Sequence, residues 1–104
     1  MKILKVIYNM VAEAWCRICN PKLKNAFQVL SHLTTRERVA LFLLSREKSM
    51  VVEIGSYIGA SACCFGTAMK ESDRGKLLCI DTWNNDAMTE GNRDTFVEFK
   101  SNIR

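Results

Sequence analysis

The segment that most limits what this 104-residue chain can become is Met50-Val51-Val52-Glu53-Ile54, followed at once by Gly55 and then by Gly59. A short run of apolar, largely β-branched residues suits a buried strand of a parallel sheet. Glycine directly after a strand marks a sharp turn, and a second glycine before Ala60 opens a stretch with helical character. Ala60 to Lys70 is rich in Ala, Ser, Cys and Gly, so it reads as a helix that can pack very closely. Glu71-Ser72-Asp73-Arg74-Gly75 is a polar turn. Leu77-Leu78-Cys79-Ile80 reads as a second buried strand, ending in Asp81-Thr82-Trp83. A strand, helix and strand of these lengths imply a right-handed parallel crossover. Beyond a loop at 84–92, residues 93–103 return to helical spacing through Phe96, Val97, Phe99 and Ile103.

Upstream, residues 3–17 place Ile3, Val6, Ile7, Met10, Val11 and Ala14 at the period of an amphipathic helix. Asn20-Pro21 breaks it, and a weaker helical stretch covers 22–31. Thr34 and Glu37 have capping-box spacing. Behind them Val39, Leu41, Phe42, Leu43 and Leu44 form an apolar helix to about Glu47. The expected fold class is therefore α/β: N-terminal helices, then a β-α-β unit and a terminal helix, as a partial Rossmann-like fold. Two strands fall short of a doubly wound sheet, so further chain is expected after Arg104.

Composition removes several other classes. The hydrophobic fraction is 48% and the charged fraction 25%, which is globular and not disordered. Residues 1–48 carry nine Lys/Arg against three Glu, a balance of +6, and residues 49–104 carry six against eight acids, a balance of −2. These charges are scattered, which suits solvated helix faces, although RNA or a membrane surface is the other reading of a basic half. No run approaches the ~20 apolar residues of a membrane span. Five cysteines, an odd number, argue against a disulfide scaffold and for a reducing, cytoplasmic setting. Cys63, Cys64 and Cys79 read as small buried hydrophobes. Cys16-x-x-Cys19 lies inside a helical pattern and lacks the other ligands of a zinc site, since His32 is the only histidine. No metal site is expected. His32 is assigned a structural role. Trp15, Phe27, Phe96 and Phe99 are assigned to the core.

The chemistry-bearing constellation is the loop Glu53-x-Gly55-x-x-x-Gly59 with Asp81. A helix N-terminus supplies free N–H groups to a carboxylate, phosphate or hydroxyl. A dinucleotide fingerprint needs a middle glycine where Tyr57 stands, which disfavours a pyrophosphate ligand. Asp81 follows Gly59 by 22 residues, close to the ~20 expected of a ribose-binding acid. It stands at the carboxyl end of the second strand, where ligands of parallel sheets bind. Glu53 either faces a ligand amine or buttresses the loop. Trp83 either stacks near a base or packs simply. Asp86, Glu90 and Asp94 read as a solvated loop and helix start, where the helix dipole favours acids.

The stretches VVEIGSYIGAS, GKLLCIDTW and NDAMTEGNRDTFVEF, with the preceding L-T-x-x-E-R of Leu33 to Arg38, resemble class I S-adenosylmethionine-dependent methyltransferases. The nearest likeness is to a bacterial subgroup acting on oxygen atoms of small molecules or saccharides. The resemblance covers residues 33–104, and residues 1–32 form an N-terminal helical extension outside it. It implies that Glu53, Gly55, Ser56, Tyr57 and Gly59 line the methionine and ribose end of S-adenosylmethionine, with Ser61 in the first helical turn. It further implies that Asp81 binds the ribose hydroxyls, with Thr82 and Trp83 near the adenine. The acceptor half of such a site comes from later strands, so no catalytic base is assigned. The chain is expected to hold only the N-terminal part of the domain. The rival readings are a non-catalytic remnant, another Rossmann-like nucleotide binder, and a basic module for RNA or an acidic partner. The last lacks aromatic interleaving or any nucleic-acid motif, and no nucleic-acid partner is expected.

Overall fold

A computed structural model describes residues 1–86 and 88–104. Helix α1 spans Lys2–Cys19. Asn20 ends it, donating its side-chain amide to the carbonyl of Cys16 at 2.7 Å. Pro21–Leu23 is a single 3₁₀ turn with proline at its start, where a missing N–H costs nothing. It runs into the short helix α2, Lys24–Gln28. The weaker helix expected over 22–31 is therefore shorter and divided. It stops because the extended backbone of Val29 ends the turn, and because Arg38 takes two of the carbonyls there. The buried Arg38 guanidinium donates to the carbonyls of Ala26 and Val29, both at 2.7 Å, and to Leu33 at 3.3 Å.

Helix α3, Thr35–Ser45, begins at the expected capping box. Thr34 Oγ1 accepts from the Glu37 N–H at 3.1 Å, and Glu37 Oε2 accepts from the Thr34 N–H at 3.0 Å. Strand β1 is Met50–Ile54, helix α4 is Ala60–Ser72, strand β2 is Lys76–Ile80 and helix α5 is Thr95–Asn102. The two strands pair in parallel, with Met50 opposite Lys76 and Ile54 opposite Ile80. The molecule is thus a mixed helix–strand fold with a two-stranded parallel sheet.

The main core lies where α2, α3 and α4 meet. Leu23, Ala26, Phe27, Phe42, Cys64 and Ala68 are buried together. Small residues on α4 let α3 and α2 approach it closely, as the sequence suggested. A second cluster of Val29, Ile58 and Ala60 seats the start of α4.

Three expectations fail on burial. The strands are not buried on both faces: Val51, Glu53, Leu77 and Cys79 are half-buried, while Val52, Ile54, Leu78 and Ile80 are exposed, Ile54 at 83%. Side chains alternate across a strand, and the described helices cover only one face of this sheet. Trp15 is 66% exposed and no core residue, because none of the residues of α1 is buried. Phe96, also assigned to the core, is 40% exposed, and of the three cysteines read as buried only Cys64 is, Cys63 and Cys79 being half-buried.

Candidate functional site

The β1–α4 loop is held in an unusual backbone conformation by its own sequence. Gly55 has φ +85° and Gly59 +98°, and the intervening Tyr57 also lies in the left-handed region at +49°. The Gly55 N–H continues the sheet by donating to the Ile80 carbonyl at 2.7 Å. The Gly59 N–H closes the turn on Ser56 O at 3.0 Å. Gly59 is needed twice over: a β-carbon there would meet Phe99 Cδ2 at 3.1 Å and Ile103 Cγ2 at 3.3 Å. Helix α5 therefore presses directly on the first turn of α4. Asn102 adds a polar tie, donating to the carbonyl of Ile58 at 2.9 Å.

Asp81 joins the loop to the end of β2. Its Oδ2 accepts from the Tyr57 N–H at 2.8 Å, and its Oδ1 accepts from the Trp83 N–H at 2.9 Å. Each oxygen keeps a lone-pair site after these bonds. Two N–H donors on one carboxylate give charge-assisted bonds, which lets Tyr57 and Trp83, the latter at φ +63°, persist in left-handed backbone.

Glu53 lies at the base of the same loop, half-buried on the covered face of β1. Ser61 Oγ donates to Glu53 Oε2, tying the strand to the first turn of α4. Of the two roles open to Glu53, buttressing is the one the described contacts include. Its other oxygen, Oε1, is buried without a protein partner, and the buried hydroxyl of Ser56 lies beside the Cys79 thiol. Burial of this floor pushes the Cys79 thiol upward, against the lowering effect of the Ser56 hydroxyl, while the nearby Glu53 carboxylate raises it further. Cys63 is raised as well, chiefly by burial.

Tyr57 projects toward the segment that precedes α5. Its hydroxyl accepts from Arg93 Nη2 at 2.7 Å and donates to Glu90 Oε1 at 3.4 Å. The Arg93 guanidinium also lies 5.5 Å from the Tyr57 ring centroid and pairs with Glu98 at 3.0 Å. Trp83 packs against Phe96 and Phe99, with ring centroids at 5.1 and 4.8 Å. Thr82 is exposed, and its hydroxyl lies 2.8 Å from Asn84 Oδ1 and 2.7 Å from Asp86 Oδ1. Asp94 caps α5, accepting from the N–H groups of Phe96 and Val97 at 3.0 and 3.3 Å, in keeping with its reading as a helix start.

All nine residues nominated from the sequence thus fall at the end of β1, on the β1–α4 loop, in the first turn of α4 or directly after β2. Arg93 and Asn102, which tie that loop to α5, were not nominated. Arg93 lies inside the third stretch of the resemblance and Asn102 just beyond it, and no local pattern marks a residue that anchors a loop 36 or 44 positions away. His32 is exposed in the linker before α3.

A parallel β-α-β unit with a glycine-bounded loop and an acid just after the second strand is consistent with part of a Rossmann-like domain. A family model described as "Methyltransferase domain" matches residues 52–103, from β1 to the end of α5, and the chain belongs to that family. No curated protein and no solved structure matches it.

Proposed function

We propose that the β1–α4 loop and Asp81 bind S-adenosylmethionine, and that the domain serves methylation of an oxygen on a small molecule or saccharide. The observation that carries the reading is Asp81. Its carboxylate stands at the carboxyl end of β2, fixed by two backbone N–H groups, and retains one acceptor site per oxygen for a pair of vicinal hydroxyls. A nucleoside ribose presents such a pair.

The remaining residues fit the same ligand. Glu53 Oε1 is a buried polar atom without a protein partner, and such an atom normally finds one. A ligand amine would suit Glu53. Gly55, Tyr57 and Gly59 would line the methionine and ribose end, with Ser61 holding Glu53 in place. Thr82 and Trp83 would border the adenine, Trp83 offering whichever part of its ring the two phenylalanines leave free. Tyr57 in place of a middle glycine removes the close backbone approach a pyrophosphate needs. When bound, S-adenosylmethionine supplies a methyl group already activated by its sulfonium, so the work left to the chain is binding and alignment. No residue is assigned as catalytic base.

Isothermal titration with S-adenosylhomocysteine tests the reading, with Asp81→Ala beside the parent and circular dichroism on both. Saturable binding that weakens by at least about tenfold in a folded Asp81→Ala chain supports it, the loss expected when charge-assisted bonds go. A folded parent chain that takes up no S-adenosylhomocysteine overturns it.

A further inference from the structure

The last turn of α1 carries two thiols that the loop around Asp81 does not use: we propose that Cys16 and Cys19 hold one soft monovalent cation, copper(I), between their sulfurs. The proposal stands independently of the methyl-transfer reading. Both cysteines are free, Cys19 exposed and Cys16 half-buried. At 3.6 residues per turn they share one side of α1 with Ala12, which is half-buried as well. Ile3, Ile7, Val11 and Trp15 lie away from that side and face outward. A cavity of about 140 Å³ opens beside Cys19, lined in part by Leu23 and Phe42. Asn20 caps the turn through its bond to the Cys16 carbonyl, so the pair sits on a closed helix end.

Spacing decides which two-thiol chemistry this turn supports. Three residues apart on a helix, β-carbons stand about 5–6 Å from each other. A disulfide needs them at about 3.5–4.5 Å, so the intact turn holds the pair apart as thiols. One ion between two sulfurs makes no such demand. Two metal–sulfur bonds of about 2.3 Å laid end to end span about 4.6 Å, a separation that sulfurs on β-carbons at the helical spacing can reach. The ligand count then selects the ion. Among the described residues no three of His, Cys, Asp or Glu gather where they could hold a metal, which leaves a four-ligand zinc centre without its ligands. Hard cations such as calcium take oxygen ligands in larger number. Copper(I) is soft, prefers sulfur and is satisfied by two ligands in a line. Each thiol passes its proton to water as its sulfur takes the ion.

The experiment is anaerobic titration of the whole 104-residue chain against the coloured copper(I)–bicinchoninate complex, with circular dichroism on every variant. The chain should withdraw copper(I) in equimolar amount. Cys16→Ser and Cys19→Ser should each weaken that binding by at least about 100-fold, the upper end of what losing a mere outer-shell partner does. Cys63→Ser and Cys79→Ser should leave it unchanged. A chain that withdraws no copper overturns the proposal. So does uptake that survives Cys16→Ser with Cys19→Ser, which would place the ion on the other thiols. Half-molar uptake that Cys19→Ser abolishes and Cys16→Ser spares would overturn it in favour of a bridge between two copies. The spacing premise has its own check. Arg17 lies between the two cysteines, so trypsin separates residues 6–17 from 18–22 unless a disulfide joins them. Joined peptides from folded chain exposed to glutathione disulfide would overturn the premise that the turn holds the thiols apart.

Discussion

Two glycines in the same neighbourhood are predicted to respond to alanine in opposite directions. At Gly59 a methyl group meets Phe99 and Ile103, and φ is +98°. Gly59→Ala should therefore destabilise the chain by about 2 kcal/mol. Gly66 sits inside α4 with nothing within 4 Å of where its β-carbon would stand. Gly66→Ala should stabilise by about 0.5–1 kcal/mol, because alanine loses less backbone freedom in a helix. Urea midpoints of the two variants check both signs at once.

The buried thiols set an alkaline limit at the same scale. Burial pushes Cys64 up from about 9.0 to about 12, opposed by the Arg38 charge, and raises Cys63 and Cys79 in the same direction. The folded state then holds protons that the unfolded chain releases. Stability should be unaffected below about pH 9 and should fall as pH rises from there toward 12. Thermal midpoints between pH 8 and pH 11, compared with those of Cys64→Ala, measure this. The exposed Cys19 should react with a thiol reagent well before Cys64.

At the scale of elements, the capping box before α3 is the local device with the clearest energetic consequence. Thr34→Ala leaves the Glu37 N–H without its side-chain acceptor and removes one half of a reciprocal pair. A loss of about 1 kcal/mol is expected in denaturant titration. Helix α3 packs on α4, whose first turn carries the candidate loop, so the effect should appear as global unfolding rather than local fraying. Helix α5 matters differently. It fixes the loop from outside through Phe99, Ile103, Asn102 and the Arg93–Tyr57 contact. If the proposed site is correct, Arg93→Ala should weaken S-adenosylhomocysteine binding by several-fold with little change in stability. An exposed guanidinium contributes little to folding, and loosening Tyr57 alters the loop that Asp81 holds.

At the scale of the whole molecule, apolar surface is left open in two places: the outward arc of α1 and the uncovered face of the sheet. Val52, Ile54, Leu78 and Ile80 form the second, all exposed and adjacent across the parallel register. Contiguous apolar surface of this kind marks a contact region. The folded chain is expected to enhance the fluorescence of a hydrophobic dye without denaturant. Ile54→Thr with Leu78→Thr should lower that signal clearly, leaving the share due to α1, while the circular dichroism stays unchanged.

Much of the local structure was legible because it depends on near neighbours in the chain. The Thr34–Glu37 box, the break at Pro21, the glycine-bounded turn and the order of strand, helix and strand all follow from backbone sterics and short-range hydrogen bonding. The gathering of Glu53, Gly55, Tyr57, Gly59 and Asp81 was legible too, since a parallel crossover brings the carboxyl ends of its strands side by side. What covers each face was not legible. An amphipathic period says that a helix has an apolar side, and not which way that side turns. Thus Trp15 and Ile7 were readable as apolar positions, and only the packing of Ala12 and Cys16 toward the body put them outside. In the same way β1 and β2 read as buried strands from their residues alone. Burial is a property of what lies opposite a surface, and the described helices lie opposite only one face of this sheet. Arg93 and Asn102 belong with these cases. Their partners lie dozens of residues away, and the docking of α5 against Gly59 is what brought them to the loop.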